Sequence, residues 1–101
     1  MVSELLAVVK AAQEIGLTLV EEKREAAMGD IERNIDDGAS VIVNYLDAFS
    51  GKGHFGVITE YDDKAFYFRD CSIGFLRLEK AFFEKFWYSG DDTPRWYMAV
   101  K

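Results

Sequence analysis

The sequence predicts an α+β domain, an antiparallel sheet of about five strands with helices packed against it, and three stretches carry that prediction. Val41-Ile42-Val43-Asn44-Tyr45-Leu46 is nearly continuous in β-branched and aromatic residues, as a strand buried on both faces must be. Two alternating, aromatic-rich stretches flank the turn Asp62-Asp63-Lys64, the pattern of a hairpin. Between Glu79 and Tyr88 the residues Phe82, Phe83, Phe86 and Trp87 continue a helical stripe begun at Leu78, and Gly90 stops it. With 101 residues and no internal linker, residues 1–101 form a single domain.

The remaining elements follow in order. Ser3 is placed to cap a first helix whose apolar residues Leu5, Leu6, Val8, Val9, Ala12 and Ile15 keep helical spacing, with Gly16 at its end. Leu17-Thr18-Leu19-Val20 reads as a brief strand, giving way to Glu21-Glu22-Lys23-Arg24-Glu25 as a solvated surface connection. A short helix is expected from about Asp30 to Asp37, with Ile31 and Ile35 on one face and Gly38 just past its end. Leu46 to Gly51 is a loop, Ser72-Ile73-Gly74 a turn, and Phe75-Leu76-Arg77-Leu78 a short alternating strand. After the turn Asp91-Asp92-Thr93-Pro94, residues 95–101 return as the last strand, with Val41–Leu46 central in the sheet.

Composition narrows the function. Half the residues are hydrophobic and 15% aromatic, enough apolar area to offset the entropy of ordering the chain. Twelve Lys and Arg stand against 18 Asp and Glu, a net charge of -6 that leaves no clustered basic footprint for nucleic acid. No run approaches the ~20 apolar residues of a membrane span, and the N-terminal run is too short and wrongly flanked for a signal peptide. The single Cys71 makes no intrachain disulfide, so a cytoplasmic location is expected.

Chemistry concentrates on the stretch Gly51-Lys52-Gly53-His54-Phe55-Gly56, which holds the only histidine, and on Asp70-Cys71 at the far end of the hairpin. Side chains alternate faces along a strand, so whether His54 and Asp70 meet depends on register. A three-residue loop, Asp62 to Lys64, pairs Tyr61 with Ala65 and sets Gly56 opposite Asp70. His54 then lies diagonal to Asp70 on the same face, within reach of it, and Gly56 removes the side chain that would stand against Asp70. A two- or four-residue loop would separate them. Cys71 falls on the other face in apolar company, which marks it as a structural thiol rather than a nucleophile. Ser40, Ser50, Ser72 and Ser89 sit in no nucleophile motif. His54 with Asp62, Asp63 and Asp70 is a poor metal set, Asp62-Asp63 is more simply a turn, and no cofactor is expected.

These residues bear a family resemblance. Asp37-Gly38, Val41-Ile42-Val43, Gly53-His54-Phe55-Gly56-Val57-Ile58, Tyr61-Asp62-Asp63, Asp70, Gly74 and Phe82-Phe83 with Trp87 together resemble the papain-like cysteine peptidases, specifically the bacteriocin-processing peptidase-like family. The match runs from about Gly29 to the end, so the fold expected is the histidine-bearing C-terminal half of such an enzyme. The resemblance makes His54 the general base and Asp70 the residue that orients it. Cys71 replaces the proline that follows the acidic residue in the family, and Glu60 the glycine before the turn. The family's nucleophilic cysteine and oxyanion-hole glutamine belong to an N-terminal segment for which this chain has no room; its first helix carries Gln13 but no cysteine. Two functions remain open. One is a non-catalytic relative that binds a peptide or protein partner; the other is part of a cysteine peptidase whose thiol comes from another chain or an upstream segment. Neither reading gives peptidase activity to this chain alone. A missing half leaves an apolar face open, which favours a homo- or hetero-oligomer.

Overall fold

The computed structural model describes residues 14–46, 53–70, 74–87 and 95–101. Within them the chain runs β1 (Leu19–Lys23), α1 (Met28–Asp36), β2 (Ser40–Leu46), β3 (Gly53–Tyr61), β4 (Ala65–Asp70), β5 (Gly74–Glu79), α2 (Lys80–Phe86) and β6 (Tyr97–Val100). The strands form a six-stranded antiparallel sheet in the order β1-β6-β2-β3-β4-β5. The α+β expectation therefore holds, with six strands in place of about five. The first helix, the turns around Ser72 and Asp91, the loop after Leu46 and Cys71 lie outside the described residues, apart from Glu14 to Gly16 at the helix end, Leu46 itself and Gly74.

Strand β2 is central, flanked by β6 and β3, and its near-continuous apolar run is buried on both faces. Val41, Val43 and Tyr45 face one side with Ile58, Phe66, Phe68, Tyr97 and Ala99, and both helices pack there, α1 through Ile31 and α2 through Phe83. Ile42 and Phe55 face the other side with Trp96, Met98 and Val100. Aromatic rings fill the first core in sequence: Phe83 packs on Phe66, Phe68 and Tyr45 at 5.4–6.3 Å between centroids and stacks on Trp87 at 5.3 Å. The Trp87 Nε1–H donates to the Trp96 carbonyl at 3.0 Å, tying the end of α2 to the approach to β6.

Helix α1 begins two residues earlier than the periodicity predicts. Asp30 in its first turn accepts the Ala27 backbone N–H at 2.9 Å, satisfying a donor that helix geometry leaves open, and that bond with Lys23 and Arg33 lowers the Asp30 pKa. Helix α2 is shorter than expected, spanning Lys80–Phe86, because Leu78 stays in β5 and pairs with Phe66. The apolar stripe is accordingly split: Phe83 and Trp87 are buried, whereas Phe82 is 44% exposed.

Strand β1 departs most from expectation. It extends through Glu21, Glu22 and Lys23, pairs with β6 and carries an irregularity at Val20. Glu21 is only partly solvated, its side chain 35% exposed. It accepts hydrogen bonds from the buried Tyr97 hydroxyl, from Asn34 Nδ2 at 3.0 Å and from Arg33 at 3.1 Å, which together hold its pKa below the usual carboxylate value. The polar side chains of the run join α1 to the sheet.

Candidate functional site

His54 is the second residue of β3 and sits half-buried opposite Tyr45 of β2. The two rings meet edge to face, 5.6 Å between centroids and 81° between planes. Tyr45 continues against Phe68 at 5.4 Å, so the imidazole lies at the end of the aromatic row that runs through Phe83 to Trp87. His54 thereby shares the helix-bearing face of the sheet with Gly56 and Ile58.

Gly56 pairs with Asp70, as the spacing predicts. Because residues directly opposite one another share a face, Asp70 occupies a register position on the face that carries His54, displaced by two residues along the neighbouring strand. The route to this register differs from the one expected. Tyr61 pairs with Phe66, not with Ala65, a shift of one residue that taken alone would put His54 and Asp70 on opposite faces. A second irregularity between Ile58 and Glu60 sets Thr59 as an extra residue in β3 and reverses the shift. The two one-residue departures cancel before Gly56.

Glycine at position 56 has a further reason besides its place opposite Asp70. A Cβ there would lie 2.9 Å from Phe68 Cδ2 and 3.0 Å from Tyr45 Cε1, so the missing side chain lets these two rings close over the strand beside His54. Glycine thus serves the aromatic row that backs the histidine.

Of the turn aspartates, Asp62 has a structural task. Asp62 Oδ1 accepts the backbone N–H groups of Lys64 and Ala65, both at 2.8 Å, and Oδ2 accepts the Tyr67 hydroxyl at 2.6 Å. Led by the Tyr67 bond, these interactions lower its pKa from 3.8 to about 2. A carboxylate so occupied closes the hairpin, in keeping with the turn reading. Among the described residues no three His, Cys, Asp or Glu side chains gather to hold a metal ion, and no helix is long and apolar enough to cross a membrane. Of the serines, Ser40 is described and sits in the ladder opposite Val100.

Two residues escaped the sequence reading, one at the site and one in the polar cluster around Glu21. Tyr45 looked like one more apolar residue of a buried strand, and only its pairing with His54 sets it against the imidazole. Asn34, on the polar side of α1, turns out to be 2% exposed and bonded to Glu21, a role that nothing in its local sequence marks. No family model, no curated protein and no solved structure matches this chain.

Proposed function

We propose that this chain is a non-catalytic relative of the bacteriocin-processing type of papain-like cysteine peptidase, and that it binds an extended peptide or protein segment on the His54 face. One observation supports this above the others: the Gly56–Asp70 pairing that returns His54 and Asp70 to a single face despite two irregularities in the hairpin. In this reading His54 offers a half-buried hydrogen-bonding ring beside Tyr45, and Asp70 fixes the orientation of that ring. Covalent catalysis needs an activated nucleophile, and neither Cys71, next to Asp70 in the chain, nor Ser40 in the ladder is assigned that part.

The second reading, a peptidase completed by a thiol from another chain or an upstream segment, rests on the same pair. There His54 takes the proton of the thiol and returns it to the leaving amine, while Asp70 holds the imidazole. One experiment separates the two. The chain is mixed with a pool of short unstructured peptides and followed by amide NMR and by a peptide-hydrolysis assay. The binding reading predicts shifts clustered at Tyr45, His54 and Gly56, lost in His54→Ala, with no cleavage at any time. Shifts confined to other residues would contradict it, and cleavage abolished by His54→Ala would establish the enzymatic reading.

A further inference from the structure

The outer side of β5 has no strand partner among the described residues, and its backbone is set out for one. In an antiparallel ladder, pairs that exchange hydrogen bonds alternate with pairs that do not. The Lys80 N–H donates to the Lys64 carbonyl at 2.8 Å, one step beyond the pair Ala65–Glu79, and this fixes the phase of the β4–β5 ladder. Phe66–Leu78, Phe68–Leu76 and Asp70–Gly74 are therefore the bonded pairs, while Phe75, Arg77 and Glu79 turn their backbone groups outward. The six pairs run without a bulge, so the N–H and C=O of Phe75 and Arg77 and the N–H of Glu79 form a regular row. The Glu79 carbonyl, at the N-cap of α2, belongs to the helix.

The side chains on the two faces of this edge differ. On the helix-bearing face stand the partly buried Leu76 and Leu78. Beside them lies an open hollow of about 270 Å³, lined by Arg77, Leu78, Glu79 and Phe82, whose ring is 44% exposed. On the other face Phe75 is 58% exposed, and Arg69, its partner on β4, holds its guanidinium 6.0 Å from the ring centroid. Among the described residues no carboxylate forms an ion pair with Arg69. Arg77, on the same face, is already engaged by Tyr67 and by the charge of Asp62. Arg69 is thus the charge that a partner meets beside Phe75.

We propose that β5 is a strand-addition site for an extended segment of another protein, antiparallel to β5 and carrying an acidic side chain opposite Phe75. Antiparallel pairing is the more stable per residue and is the direction this sheet keeps throughout. The added strand alternates its side chains as β5 does. Its residues opposite Leu78 and Leu76 fall on the helix-bearing face, where apolar side chains cover Phe82 and enter the hollow. The residue opposite Arg77 meets an engaged side chain and is neutral. The next, opposite Phe75, lies two strands from Arg69, roughly 10 Å between α-carbons, and a glutamate there reaches over the phenyl ring to the guanidinium. In the partner's own direction the segment reads apolar, neutral, apolar, glutamate. Backbone bonds give the affinity and the alternate side chains the specificity. The inference is independent of the peptide reading at His54, since β4 separates β5 from β3.

Fluorescence anisotropy with the labelled hexapeptide TVTVET, and amide NMR to place it, test the proposal. Saturable binding is expected, with shifts gathered from Phe75 to Glu79 and the same affinity in His54→Ala. Arg69→Glu should weaken binding about tenfold, and a peptide with lysine in place of its glutamate should bind this variant better than the wild type. Methylating the backbone nitrogen of the peptide's glutamate or middle threonine, which faces β5, should abolish binding. Methylating that of either valine, which faces away, should leave it. The methylated peptides leave the protein unaltered, and far-UV circular dichroism verifies the fold of Arg69→Glu. No binding at millimolar peptide, equal loss from both methylation patterns, an affinity unmoved by Arg69→Glu, or shifts gathered at Tyr45 and His54 would each overturn the proposal. So would a dimer of the chain that the peptide fails to displace, which would give the edge to a second copy.

Discussion

The two edges of the sheet are held by different forces. At β1 the outermost strand is short, irregular at Val20 and mostly charged, and it is fastened to the rest through Glu21, which gathers Tyr97, Asn34 and Arg33. At β5 the strand is regular and its inward residues Leu76 and Leu78 join a core of stacked aromatic rings around Phe83. Hydrogen bonds to a carboxylate depend on pH and on every donor staying in place, whereas ring packing depends on volume. The β1 edge is thus protected against foreign strands by its own chemistry, and the β5 edge is firm, with no further strand beyond it among the described residues. His54 sits between them, on β3, backed by the aromatic side.

The largest effect should come from breaking the aromatic side. Phe83→Ala removes the ring on which Tyr45, Phe66, Phe68 and Trp87 all pack, and should cost about 3–5 kcal/mol in urea unfolding. Next, Gly56→Ala forces a methyl group against Phe68 and Tyr45 and should cost about 1–3 kcal/mol, with amide shifts centred on His54. On the other side, Tyr97→Phe deletes one of three groups that donate to Glu21 and should cost about 0.5–1.5 kcal/mol, since Asn34 and Arg33 remain. Equal losses for Phe83→Ala and Tyr97→Phe would erase the distinction between the edges.

A pH series sharpens the same contrast. Glu21 has a folded pKa below its ordinary 4.5, so its contribution is complete above that value and is lost as the pH falls through the folded one. Asp62 behaves alike from 3.8 down to about 2, at the turn between β3 and β4. On acidification below 4.5 the β1–β6 amides should therefore exchange before those of β4–β5, and Glu21→Gln should abolish the difference in that range. Exchange that begins in β5 would contradict this order.

What the sequence discloses divides along the same line. Apolar alternation and β-branched runs set β2, the β3–β4 hairpin and the buried face of α1, because burial imposes a period that survives in the residue order. Polar partnerships impose none. Glu21 stands in a run of charges and reads as surface, and only the distant Tyr97 and Asn34 reveal its role. The hairpin register is the instructive case. Counting residues around Asp62-Asp63-Lys64 leads to the right partner for Gly56, but the actual ladder reaches it through a shifted turn and an extra residue at Thr59, neither of which leaves a periodic mark. Phe82 and Phe83 are adjacent and chemically alike; one is buried and one exposed because successive residues of a helix point about 100° apart.

The proposed contact between His54 and Asp70 is tested most directly by the imidazole nitrogen shifts of His54, measured where the ring is neutral, in the wild-type chain and in Asp70→Ala. If Asp70 orients the ring, the wild type should show a single tautomer with the proton on the nitrogen turned to Asp70, and the variant a mixture. The same tautomer ratio in both proteins would contradict the account.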